Sequence, residues 1–145
     1  MKRILSALGI ALAIFCLLGI AWVGFAGWPL VADAQGAKAA TAKFAQEMKK
    51  DWPEERFAAH ASAKLLFTNE NWKKDLAAIR THLGPIIKVE EPKPGRVIKD
   101  PDAPGGFVYE VSCTVECKKG KATIQTAWAK FGEEYQLALF NVTDH

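Results

Sequence analysis

Residues 107–117 read FVYEVSCTVEC, and the alternation in that run is what most limits the folds open to this chain. Phe107, Tyr109, Val111, Cys113, Val115 and Cys117 share one parity, while Glu110, Ser112, Thr114 and Glu116 share the other. Successive side chains of a strand point to opposite faces, so this segment predicts a β-strand with one face on a core and one in water. The chain then turns at Lys118-Lys119-Gly120-Lys121 and runs back over 122–131. It turns again at Gly132-Glu133-Glu134 and ends in an apolar run over 135–142. Three such runs joined by short turns predict an antiparallel meander.

The cover for that sheet lies upstream. Ala37, Ala40, Phe44, Ala45 and Met48 recur at helical spacing within residues 36–50. Asp51-Trp52-Pro53 interrupts the pattern. A short second helix is expected over 53–62, with Pro53 at its first position, Glu54 and Glu55 at its positive end, and Phe57 and Ala61 buried. Leu65-Leu66-Phe67 is too short to assign by period. Thr68 or Asn69 is expected to cap a third helix, on which Trp72, Leu76, Ile79 and Leu83 form an apolar stripe. Lys73, Lys74 and Arg80 face away from much of that stripe, and Gly84-Pro85 stops the helix. Residues 86–91 and 96–99 read as extended pieces broken by Pro92, Pro94 and Gly95, which places them at a sheet edge or bend. Residues 100–106 form a turn or exposed loop. Helices first and strands later predict an α+β domain with its helices on one face of an antiparallel sheet.

Ahead of this domain, Met1, Lys2 and Arg3 carry positive charge, and residues 4–32 are uncharged and mostly apolar. About 20 residues span a bilayer, so residues 4–28 are long enough to do so, and the basic start places the rest of the chain outside the cytoplasm. Ala32-Asp33-Ala34 before Gln35 also fits the small-x-small site of a cleaved secretory leader. The apolar run is about twice the length of an ordinary leader core, and Trp22 and Trp28 lie towards its outer end, where aromatic rings favour the membrane interface. Retention as an anchor is therefore preferred over cleavage after Ala34. Phe15 before Cys16 argues against lipoprotein processing, and Cys16 reads as a small apolar residue of the span. The division is residues 1–34 as signal-anchor or signal peptide and 35–145 as one extracytoplasmic domain. It sits at the inner membrane as a single-pass protein, or in the periplasm if the leader is cut.

The order of elements resembles the nuclear transport factor 2-like (cystatin-like) fold. The likeness is carried by an early helix pair, by NENWKKDLAAIRTHLG closing a later helix on a glycine, and by GGFVYEVSCTVECKKGKATIQTAWAKFGEEYQLALFNV as a terminal meander. The ending EEYQLALFNV is similar to the family's common last strand, with Tyr135 where many members carry tryptophan. It looks especially like small bacterial envelope proteins of unknown function. The resemblance implies a curved, cone-like sheet wrapped around helices, an apolar pocket and a homodimer. It implies no reaction, because one fold serves many sites.

The chemistry of the residues is sparse. The whole chain carries a net charge of +3, of which residues 35–145 hold only +2, a balance too small to predict a nucleic-acid surface. Four residues of extended strand separate Cys113 from Cys117, too far for a disulfide without a sharp bend, so both are expected as buried free thiols. His60, His82 and His145 are scattered, and no metal or cofactor is expected. The inward parity of the clearest strand holds no carboxylate or imidazole for acid–base work. His60 could reach a pocket mouth, and His82 sits in the last turn of its helix, where a cation meets the dipole well. The Gly105-Gly106 pair precedes a strand and makes no phosphate loop. Asn141-Val142-Thr143 matches the glycosylation sequon by chance in a chain with a bacterial leader, and residues 118–121 read as a solvated hairpin tip. Trp72, Tyr109 and Trp128 are the candidates to line an apolar ligand pocket, with membership of the core as the competing reading.

These readings converge on a membrane-tethered, non-catalytic binding or interaction module. Its partner would be a small apolar ligand or an envelope protein, with a homodimer formed through the open sheet face over Val108 and Phe140. The alternatives are a small hydrolase or isomerase using His60, and a structural subunit of an envelope assembly.

Overall fold

A computed structural model describes residues 30–145. Residues 4–28 of the expected span, with Cys16, Trp22 and Trp28, lie outside the described residues; among those described, no helix is long and apolar enough to cross a membrane. Helix α1 occupies residues 30–48 and buries Ala37, Thr41, Phe44, Ala45 and Met48 along one stripe. It ends in a turn where Asp51 and Trp52 take positive φ values of 71° and 53°. Such values strain an L-residue, and two long-range contacts hold them. Arg80 Nε donates to the Asp51 carbonyl at 2.9 Å and its Nη2 donates to the Trp52 carbonyl at 3.0 Å. The Trp52 indole is fully buried and donates to the Gly84 carbonyl at 2.9 Å. Arg80 therefore braces a turn where the stripe alone would turn it to solvent.

The helix expected over 53–62 forms over a slightly shorter range, and a further short helix follows it. Helix α2 (Glu54–His60) follows Pro53 and buries Phe57. It stops because Ala61 goes extended and bridges Leu137 in parallel, while the Ser62 amide donates to the Leu137 carbonyl at 2.9 Å. The Ser62 hydroxyl then accepts from the Leu65 amide and caps α3 (Ala63–Thr68), which takes up the unassigned Leu65-Leu66-Phe67. Helix α4 (Trp72–Leu83) starts after Asn71, later than expected, since Thr68 ends α3 and Asn69 caps it. It buries Leu76 and Leu83 and stops at Gly84, whose φ of 71° suits glycine.

Among the described residues the sheet has five strands, all antiparallel to their neighbours. Strands β1 (Ile86–Val89) and β2 (Lys93–Lys99) lie end to end along β3 (Phe107–Cys117), β1 on its last residues and β2 on its first. They form one lane interrupted at Pro92, and the Glu90 amide donates to Thr114 across the gap at 2.9 Å. Strand β4 (Gly120–Phe131) and β5 (Glu134–Asp144) complete the meander, in the order β1-β3-β4-β5, so the sheet is open with β5 at one edge. The chain is α+β, and Asp33–His145 pack as one compact unit around Trp52, Trp128, Phe44, Met48 and Ile124. Cys113 and Cys117 are buried free thiols.

One register slip alters the expected faces. Leu137 opposes Trp128 and Leu139 opposes Ala127, leaving Ala138 as an extra residue in β5. Beyond the bulge Leu139 faces solvent, while Phe140 turns to the core side and meets Phe57 and Phe44 at centroid distances of 5.1 and 5.8 Å. The expectation that Phe140 lies on the open face is corrected by this bulge. Val108 does lie on that face, but it is buried between Ile98 and Ala129 of the neighbouring strands.

Candidate functional site

The three aromatic candidates fall in three different places. Trp128 is at the centre of the core, fully buried. Its indole N–H donates to Thr41 Oγ1 at 2.8 Å and Thr126 Oγ1 at 3.0 Å; Thr41 donates on to the Ala37 carbonyl and Thr126 to the Val111 carbonyl. This closed network joins α1 to the sheet.

Tyr109 belongs to a clamp on α1 at Asp33. Its phenol donates to Asp33 Oδ2 at 3.1 Å, and Lys130 Nζ donates to Asp33 Oδ1 at 2.8 Å. The Tyr135 phenol donates to the Asp33 carbonyl at 3.0 Å. Any side chain at Gly36 would overlap the Tyr135 ring, so the helix approaches the sheet closely only because that position is glycine. Burial, then the Asp33 carboxylate, push the Tyr109 phenol up to about 12. The bond to Asp33 also raises the Lys130 ammonium.

Trp72 alone stands at an opening. Its ring stacks on Phe57 with centroids 5.3 Å apart and planes 22° off parallel. Together with Leu76, Ile79, Phe140 and Val142 the pair walls a cleft of about 280 Å³ between α4 and β5, with Asn69, Asp75 and Asn141 also in its lining. The cleft continues past Ala78, Ile79 and Val142 into a second hollow of about 260 Å³ that ends at His82 and Asp144. His82 Nε2 lies 2.8 Å from Asp144 Oδ2 and holds that carboxyl below its ordinary range. Phe57 and Phe140 are the walls that the sequence did not associate with Trp72.

His60 pairs with Glu47, Nε2 to Oε2 at 2.5 Å, and its ring stands edge-on to Phe44 at 5.5 Å and Trp128 at 6.0 Å. The bond lowers the Glu47 carboxyl. A carboxylate–imidazole pair can orient a general base, yet among the described residues Glu47 is the one side chain hydrogen-bonded to His60. The adjoining open cleft of about 600 Å³ is lined by charged side chains, Lys43, Lys50 and Arg56 among them. Cys113 donates to the Glu90 carbonyl at 3.3 Å, and burial pushes its thiol up to about 11, the reverse of an activated nucleophile. At the hairpin tip Lys119 donates to the Thr81 carbonyl and Lys121 pairs with Glu116. No group of three or more metal-ligating side chains occurs among the described residues.

Comparison of the chain with protein-family models, with curated proteins and with solved structures finds no match. The fold and the cleft define a class all the same: an α+β domain with an open antiparallel sheet and an aromatic-walled surface cleft between its last helix and its edge strand.

Proposed function

We propose that this protein is a membrane-tethered, extracytoplasmic binding module built on a nuclear transport factor 2-like sheet, and that it recognises its partner through the Trp72 cleft without catalysis. The observation that carries this reading is the cleft itself. It gathers Trp72, Ile79, Phe140 and Val142 around a surface opening backed by the buried Phe57, and binding sites are mostly apolar concavities with a few polar groups at fixed places. The helices-first order and the terminal meander support the fold reading, and the length of residues 4–28 supports the tether. The Asp33 clamp supports retention of the leader, because cleavage after Ala34 would strip Tyr109 and Lys130 of their shared carboxylate.

The competing enzyme reading rests on His60, whose Glu47 partner is the one feature in its favour. The two separate cleanly. The full chain extracted gently from membranes and weighed under native conditions should carry a reproducible added mass, and His60→Ala should leave that mass in place. Loss of binding in His60→Ala with the fold intact, or recovery of the protein from the cytosol, would overturn the proposal.

A further inference from the structure

The cleft lies beside a strand edge, and that decides what kind of molecule fits it. The His145 amide donates to the Lys121 carbonyl at 3.0 Å, which makes 145 and 121 a hydrogen-bonded pair across β5 and β4. Main-chain groups of an antiparallel strand alternate in direction, so the N–H and C=O of residues 140, 142 and 144 point away from β4. Upstream, the same edge is already used: Ala61 bridges Leu137 in parallel and the Ser62 amide bonds the Leu137 carbonyl before the chain leaves as α3. Past Leu137, no described residue pairs with the free edge of β5. The groups left without a partner along the cleft are therefore main-chain donors and acceptors at strand spacing, not a side chain aimed at a small molecule.

We infer that the cleft takes an extended polypeptide segment of another protein, which adds as a strand to residues 140–144 of β5 and lays alternate apolar side chains on Trp72 and Ile79. This rests on the binding reading above and names its partner class. Strand addition obtains affinity from main-chain bonds and specificity from pockets for alternate side chains. The two hollows share Ala78, Ile79 and Val142, so they form one track beside the strand. Its charge selects further. Asp75, which accepts from Asn69, and Asp144, which pairs with His82, lie along it; neither hollow has a lysine or arginine in its lining, and the cation beside them is Lys73, its Nζ 5.4 Å from the Trp72 ring centroid. A segment that alternates apolar residues with lysine or arginine satisfies walls, edge and rim together.

The test uses the full chain in lipid nanodiscs and a displayed library of random octapeptides. Enriched peptides should alternate apolar residues and carry Lys or Arg. A synthetic peptide of the enriched sequence should slow hydrogen exchange at the amides of Phe140 and Val142. Val142→Pro removes an edge N–H that makes no bond to β4, so the sheet should survive while affinity falls at least about tenfold. Ala78→Arg fills the exposed track with a cation, reports the same loss without touching the strand, and decides the matter if Val142→Pro does not fold. No enrichment, or enriched peptides indifferent to both substitutions, overturns strand addition. A retained small-molecule mass that Ala78→Arg expels would overturn it too while leaving the binding module standing. Absence of both peptide and small-molecule binding would remove the module as well.

Discussion

Tyr109→Phe isolates one atom of the clamp on α1 and tests whether residue 33 belongs to the working protein. The substitution keeps the buried ring and removes only the hydroxyl that donates to Asp33 Oδ2 at 3.1 Å. Hydrogen bonds to charged partners contribute about 1.5–3 kcal/mol, and 3.1 Å is long for a hydroxyl–carboxylate bond, so the loss should be about 1.5 kcal/mol. For a unit the size of Asp33–His145 that corresponds to a fall in Tm of about 5 °C. The assay is a thermal melt of the full chain followed by near-ultraviolet circular dichroism. The pH dependence supplies an internal check. The folded phenol stands at about 12 against an ordinary 10.0, so its contribution is fully present below pH 10 and is lost as pH rises towards 12. Lys130 and Tyr135 are raised in both proteins, so what the phenylalanine variant lacks in that window is the Tyr109 contribution alone, and the gap between the two melting curves should narrow there. A protein cut after Ala34 lacks Asp33 altogether, and Tyr109→Phe would then be neutral or slightly stabilising. A Tm change under about 1 °C at neutral pH, or curves that stay parallel through pH 12, would refute the clamp.

Two other measurements probe the core around it. Thr41→Val and Thr126→Val should each cost about 1 kcal/mol in urea unfolding, since each leaves the Trp128 indole one acceptor. The double variant leaves that buried N–H with none and should cost about 1–3 kcal/mol more than the sum; additivity within about 0.5 kcal/mol would sink the network. Cys113 and Cys117 should react with iodoacetamide at pH 8 at least about tenfold more slowly in the folded chain than in urea, read by peptide mapping, because burial raises both thiols; equal rates would show that they are open to solvent.

The elements that the sequence made legible are those whose signal is local. The stripe Ala37, Phe44, Ala45, Met48 marks α1, and the parity of residues 107–117 marks β3 and its buried face. The break between α2 and α3 is not local. Nothing near Ala61 ends a helix; the chain goes extended there because Leu137, far along the sequence, offers a bridge and a carbonyl. The role of Arg80 was hidden for the same reason. On its own helix it reads as a solvent-facing cation, and its role is set by the strained Asp51-Trp52 turn it braces from a distance.

The cleft was half legible, and the missing half traces to one residue. Trp72 announced itself as a large aromatic on an amphipathic helix with a face to bury. Phe140 could not, because Tyr135-Gln136-Leu137-Ala138-Leu139-Phe140 is apolar nearly throughout and carries no glycine or proline to mark an irregularity. Read with strict parity, Leu137 and Leu139 share a face and Phe140 is outside. The bulge at Ala138 reverses that from Leu139 onward. It turns Phe140 and Val142 onto the core side and exposes Leu139. In a strand the direction of the main-chain groups is coupled to the side of the residue, so the same insertion that supplies the aromatic wall also aims the amides of residues 140 and 142 at the empty edge. Wall and edge are thus one consequence of one extra residue, so the segment proposed to lie on the first would be positioned to pair with the second.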